Sequence, residues 1–118
     1  MVLNGCQYLE SIKIWCGGEY LSEKEALEAF VKYSQNVYEL ILCHYFYVPF
    51  ELLPEELETF FRSWTNRVPQ KSLSLIIVKR YAVSLDTNYE NMKIIEKYIE
   101  LGIIRKFKVT GHIEHCTR

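Results

Sequence analysis

The sequence predicts a mainly α-helical fold closed by a small β-hairpin, α+β in class and a single domain over residues 1–118. Three observations predict it. Apolar residues recur at three- and four-residue spacing from Leu27 to Ile41, from Leu57 to Trp64 and from Met92 to Ile99. Start and stop signals bracket these runs: Ser22 with Glu25, Pro54 ahead of three glutamates, and Gly102. Only the end of the chain, from Phe107 onward, alternates with a period of two.

In chain order, residues 1–21 read least clearly. Tyr8, Ile12 and Trp15 fit a helix, Ser11 to Trp15 fits a short strand equally well, and Gly17 and Gly18 break either one. Ser22 and Glu25 form a capping box, in which hydroxyl and carboxylate each satisfy a backbone N–H. The helix they open runs to about Tyr45, with Leu27, Phe30, Val37 and Ile41 on one face, and Pro49 closes it. Its second half is apolar almost all round, which requires cover; a second copy of the chain packed along helix 23–45 is expected to supply it, the alternative being packing against the first 21 residues and the second half of the same chain. Pro54 begins a further helix with Leu57, Phe60, Phe61 and Trp64 inward, closed by the stretch containing Pro69.

Leu73 to Ala82 has Leu73, Ile76, Ile77 and Tyr81 at helical spacing, although so short an apolar run, LSLIIV, also fits a strand. Val83 to Asn88 is a polar turn able to cap the next helix. That longer helix, from Tyr89 to Leu101, carries Met92, Ile95 and Ile99 inward, and Gly102 ends it in the left-handed conformation. Phe107, Val109, Gly111 and Ile113 then alternate with Lys106, Lys108, Thr110 and His112, as in a half-buried strand.

No apolar run approaches the roughly 20 residues needed to span a bilayer. Residues 1–16 make a poor signal peptide, lacking a basic start and a sustained apolar segment, so the expected location is cytoplasmic. Net charge is only −1, but it is unevenly placed. Residues 1–61 hold three lysines and ten glutamates, whereas residues 62–118 hold eleven basic and five acidic side chains. Such a split is the footprint of a chain that meets phosphate at one end.

The second half resembles the winged helix-turn-helix domains of transcriptional regulators. IIVKRYAVS, Ile76 to Ser84, looks like the family's second helix and turn, and MKIIEKYIELGIIRKFKV, Met92 to Val109, like its recognition helix and wing. The chain departs from the pattern by about three extra residues between Ser84 and Gly102, and by Ala82 where the family often has glycine. The resemblance implies a winged helix-turn-helix over residues 53–118, preceded by a helical dimerisation region over 1–50. It further implies sequence-specific binding of double-stranded DNA by a homodimer, with two recognition helices about one DNA turn, roughly 34 Å, apart. Thr87, Asn88, Tyr89, Asn91, Lys93 and Lys97 would enter the major groove from helix 88–101. Arg105, Lys106, Lys108 and His112 would hold phosphates from wing 105–112. The competing expectation is a protein-interaction module or scaffold subunit, docking through the aromatic run from Tyr33 to Phe50.

No catalytic residue, cofactor or metal is expected. The chain has no phosphate-cradling glycine loop, no G-x-S-x-G and no H-E-x-x-H. Cys6, Cys16, Cys43 and Cys116 form no C-x-x-C pair, and read as thiols. His112, His115 and Cys116 are spaced closely enough to share an ion, which would need a ligand from Cys6 or Cys16. Cys43 and His44, placed on a helix, diverge by about 100° and cannot act together. The glutamates of the first half read as helix caps and solvated faces.

Overall fold

The computed structural model describes residues 11–16, 21–33, 37–44, 52–66, 72–79 and 84–111. Strands and helices alternate: β1 (Ser11–Cys16), α1 (Glu23–Tyr33), β2 (Glu39–His44), α2 (Pro54–Thr65), β3 (Leu73–Val78), α3 (Tyr89–Glu100) and β4 (Ile104–Thr110). A 3₁₀ turn, Leu85–Thr87, precedes α3. The four strands form one sheet in the order β1-β2-β3-β4, and every neighbouring pair is parallel. Parallel neighbours need a crossover connection, and each helix supplies one.

All three helices cover the same face. Leu27 and Phe30 of α1, Leu57, Phe61 and Trp64 of α2, and Ile95 and Tyr98 of α3 share one buried cluster with Ile12, Ile14, Leu40, Leu42, Leu75 and Ile77. Phe30 stacks on Trp64 at 5.3 Å between centroids, and Phe61 on Tyr98 at 4.7 Å, tying neighbouring helices together. The opposite face of the sheet holds a smaller buried cluster of Ile41, Cys43, Ile76 and Val78, with Trp15 packed against it.

The fold is therefore α/β, not the mainly α chain with a β-hairpin wing that the sequence predicts. Two segments account for the difference. Helix 23–45 is α1 only as far as Tyr33; Glu39–His44 is the buried strand β2. Leu73–Ala82, expected as the second helix of a helix-turn-helix, carries β3 over Leu73–Val78. Strands buried on both faces of a parallel sheet are apolar at consecutive positions, so ELILCH and LSLIIV satisfy helical spacing by default. β4 pairs in parallel with β3, so it is not half of a hairpin. The strand alternative for Ser11 to Trp15 is the one the structure adopts.

Local signals hold elsewhere. Ser22 N–H donates to Glu25 Oε1 at 2.9 Å and Glu25 N–H to Ser22 Oγ at 3.1 Å, the capping box of α1. Pro54 opens α2 while Glu56 reaches back to accept from Leu53 N–H at 2.9 Å. Asn88 Oδ1 accepts from Asn91 N–H at 3.1 Å to start α3, and Gly102 ends it at φ +78°. The dimerisation helix expected over 23–45 is not formed, and residues 34–36 and 45–50 of the aromatic run lie outside the described residues. No described helix is long and apolar enough to cross a membrane.

Candidate functional site

In parallel sheets, ligands gather beyond the carboxyl ends of the strands. Here that end is occupied by side chains from three separate segments. Glu23, at the first turn of α1, places Oε2 at 2.8 Å from Nε2 of His44, the last residue of β2. Ser84, after β3, donates its hydroxyl to the same Oε2 at 2.6 Å, and Leu85 N–H donates to it at 3.1 Å. His44 Nε2 and Ser84 Oγ are 3.2 Å apart. Nearby, Lys79 at the end of β3 and Asp86 in the 3₁₀ turn form an ion pair at 2.8 Å.

Serine, histidine and a carboxylate together invite comparison with a nucleophilic triad. In a triad the acid holds Nδ1 and the serine meets Nε2, which leaves the hydroxyl for attack. Here carboxylate and serine share Nε2, the hydroxyl proton is committed to the carboxylate, and His44 Nδ1 has no hydrogen-bond partner among the described residues. The side chains of His44 and Glu23 are 0% and 1% exposed, and Ser84 is 1% exposed. What this cluster does is fasten the start of α1, the end of β2 and the loop before α3 to one oxygen.

Of the residues expected to contact DNA, those the structure describes do not share a surface. Thr87, Tyr89 and Lys93 are exposed at the start of α3, with Lys93 Nζ 4.6 Å from the Tyr89 ring centroid. Asn88 is half-buried as the cap. Asn91 is fully buried, and its Nδ2 donates to Leu52 O at 3.1 Å. Lys97 turns to α2, where its Nζ donates to Glu58 Oε1 at 3.0 Å, and the Tyr98 hydroxyl donates to the same carboxylate. Glu58 is raised by burial, but the bonds from Tyr98 and Lys97 outweigh this and hold its carboxyl below the usual range.

Arg105, Lys106 and Lys108 are exposed on β4. Phe107 packs against the helical core, so Lys106 and Lys108, its neighbours on the strand, project from the opposite face of the sheet. α3 and these lysines therefore sit on different sides, and a helix-plus-wing surface is not assembled. His112 lies outside the described residues, as do Cys6, His115 and Cys116.

Among the described residues, no group of three or more histidine, cysteine or acidic side chains is arranged to hold a metal ion. Cys16 is a free, buried thiol, pushed up to about 12 by burial and by the negative charge of Glu23. Cys43 is disulfide-bonded, contrary to its reading as a thiol.

Among the described residues, two accessible features bear on binding. A groove of about 430 Å³ runs between α1 and α2 over Leu27, Val31, Leu52 and Phe60, with Lys24 and Glu56 paired at 3.5 Å on its rim. The second feature is β4 itself, which stands at the margin of the sheet with no strand beyond it among the described residues. Thr110 O accepts from Lys79 N–H at 2.9 Å, so the backbone of Thr110 faces β3. By alternation Lys106 and Lys108 face β3 as well, and the N–H and C=O groups of Phe107 and Val109 point outward. Sequence reasoning found the basic residues of β4 but missed this open edge, because pairing partners are not written in a single strand. It missed the Glu23, His44 and Ser84 cluster for a similar reason. No family model, curated protein or solved structure matches the chain.

Proposed function

We propose that the protein is a non-enzymatic binding module that docks another polypeptide along β4. The observation that carries this reading is the open edge. Phe107 and Val109 offer outward N–H and C=O groups in a strand whose inner side is fixed by β3, so a docking chain gains main-chain hydrogen bonds without the scaffold reorganising. The polar cluster at the carboxyl ends supports the same reading from the other side. Its hydroxyl, one imidazole nitrogen and one carboxylate oxygen are spent on one another, and the atoms left over, His44 Nδ1 and Glu23 Oε1, are buried with them, so the cluster presents no exposed group.

Binding of duplex DNA is the second reading, supported by the exposed Arg105, Lys106 and Lys108. It would rest on phosphate contacts from β4 alone, because Asn91 is buried and Lys97 is paired with Glu58.

Selection from a random-peptide display library against the full chain and against a Val109→Pro variant separates the two. Proline is tolerated on an edge strand where its N–H faces outward, so the variant keeps the sheet but loses the outward donor. Peptides enriched on the wild-type chain and lost on the variant are expected. Absence of such peptides, together with salt-sensitive duplex binding abolished by Lys106→Ala and Lys108→Ala, would replace the reading with the DNA one.

A further inference from the structure

We infer that the partner of β4 is an extended segment in which acidic residues alternate with apolar ones. This rests on the reading of β4 as a docking edge and adds the chemistry of the occupant. The two sides of β4 differ in kind. Toward the helical layer it shows Phe107, half-buried against the core, and Val109, 39% exposed.

Ile99 of α3 extends this apolar side. It lies about 200° round the helix from Lys97, which reaches α2, so Ile99 faces away from α2 and toward the β4 margin. It is 44% exposed. On the other side of the strand stand Lys106 and Lys108, both exposed, in register with Ser74 and Ile76 of β3. Their register partners Ser74 and Ile76 are neutral; Glu39 of β2, next in register beyond Ser74, accepts from Ser74 Oγ at 2.9 Å, and neither lysine forms an ion pair among the described residues.

A strand laid against β4 alternates its side chains in the same way. One set falls on Phe107, Val109 and Ile99 and must be apolar to gain by burial. The other set falls beside Lys106 and Lys108, and opposite charges across neighbouring strands are favourable. A second copy of this chain does not meet the requirement. Pairing β4 with its own two-fold mate about Phe107 or Lys108, the middle of the strand, would set lysine against lysine, and like charges directly opposite are destabilising. Lysines on an edge strand guard against self-association, and here they also select the partner's charge.

The test uses the full chain and three capped, fluorescent decapeptides that alternate valine with glutamate, with serine or with lysine, followed by anisotropy at low salt. Amide spectra of Phe107 and Val109 report where each peptide binds. The glutamate peptide is expected to bind at least tenfold more tightly than the serine peptide, moving both amides, and the lysine peptide not at all. The Lys106→Glu, Lys108→Glu double variant should invert that order, and Val109→Pro should weaken every peptide. Equal binding of the glutamate and serine peptides at these amides would overturn the acidic partner while leaving the docking edge in place. No peptide moving the two amides, while Val109→Pro keeps the fold by circular dichroism, would overturn the inference and the docking reading together.

Discussion

Glu23 Oε2 and His44 Nε2 lie 2.8 Å apart although 21 residues separate them, and their side chains are sealed from water. The same oxygen accepts from Ser84 Oγ and Leu85 N–H, so one carboxylate joins α1, β2 and the β3–α3 loop. Removing one partner of a buried ionic or hydrogen-bonded network strands the others. Glu23→Ala should therefore destabilise the chain by about 3 kcal/mol, and Ser84→Ala, which leaves the carboxylate its two other donors, by about 1 kcal/mol. Urea unfolding measures both.

Asn91 acts in the core rather than on a ligand. Its Nδ2 donates to Leu52 O, fastening α3 to the segment before α2, and its position is 0% exposed. Asn91→Ala should cost about 1 to 3 kcal/mol, the range for an orphaned buried polar group. Binding of duplex DNA at low salt should be the same for the variant as for the wild-type chain under conditions where both are folded.

Gly102 closes α3 at φ +78°, and a Cβ built there meets nothing within 4 Å. The whole cost of Gly102→Ala is thus backbone strain, about 1 kcal/mol. Gly102→Asn should cost less and Gly102→Val more, since asparagine tolerates this region and β-branched residues do not. Thermal unfolding of the three variants checks the order.

The alkaline limit of stability should lie between about pH 9 and 12. Burial, then the Glu23 charge, pushes the Cys16 thiol from 9.0 up to about 12; burial, then the Glu58 carboxylate, pushes the Tyr98 hydroxyl from 10.0 up to about 12. Both groups are neutral when protonated, and both keep their protons longer in the folded chain. Their stabilising contribution is complete below the ordinary values and is lost as pH rises toward 12. Glu58, held low, has the opposite sign: its contribution is present above 4.5 and falls away in acid. Stability measured against pH should lose part of its alkaline slope in Tyr98→Phe and part of its acid slope in Glu58→Gln.

Features set by neighbours along the chain were legible in the sequence alone. The Ser22 and Glu25 capping box, Pro54 at the start of α2, the buried stripe of Leu57, Phe60, Phe61 and Trp64, and Gly102 at the end of α3 all act within one or two turns. Features set by the sheet were not. Leu40 to Cys43 and Leu73 to Val78 are buried on both faces, which erases the alternation that would mark a strand. The strand at Leu73 to Val78 underlies the winged-helix expectation, whose centre is a helix over 73–82, and the strand holding Leu40 to Cys43 underlies the expected dimerisation helix over 23–45. The Glu23, His44 and Ser84 cluster left no sequence signal, because Glu23 and Ser84 are 61 residues apart and each alone resembles an ordinary helix cap or turn residue. The lysines of β4 were visible, while the open edge they flank depends on what β4 does not pair with.

Residue-by-residue amide hydrogen exchange along β4 in the free protein tests the docking edge most directly. Alternation is expected: the amides of Lys106, Lys108 and Thr110, directed at β3, exchange slowly, and those of Phe107 and Val109, directed outward, exchange at least tenfold faster. Equal and strong protection of all five would show that the outer edge is already occupied, and would contradict a docking role for β4.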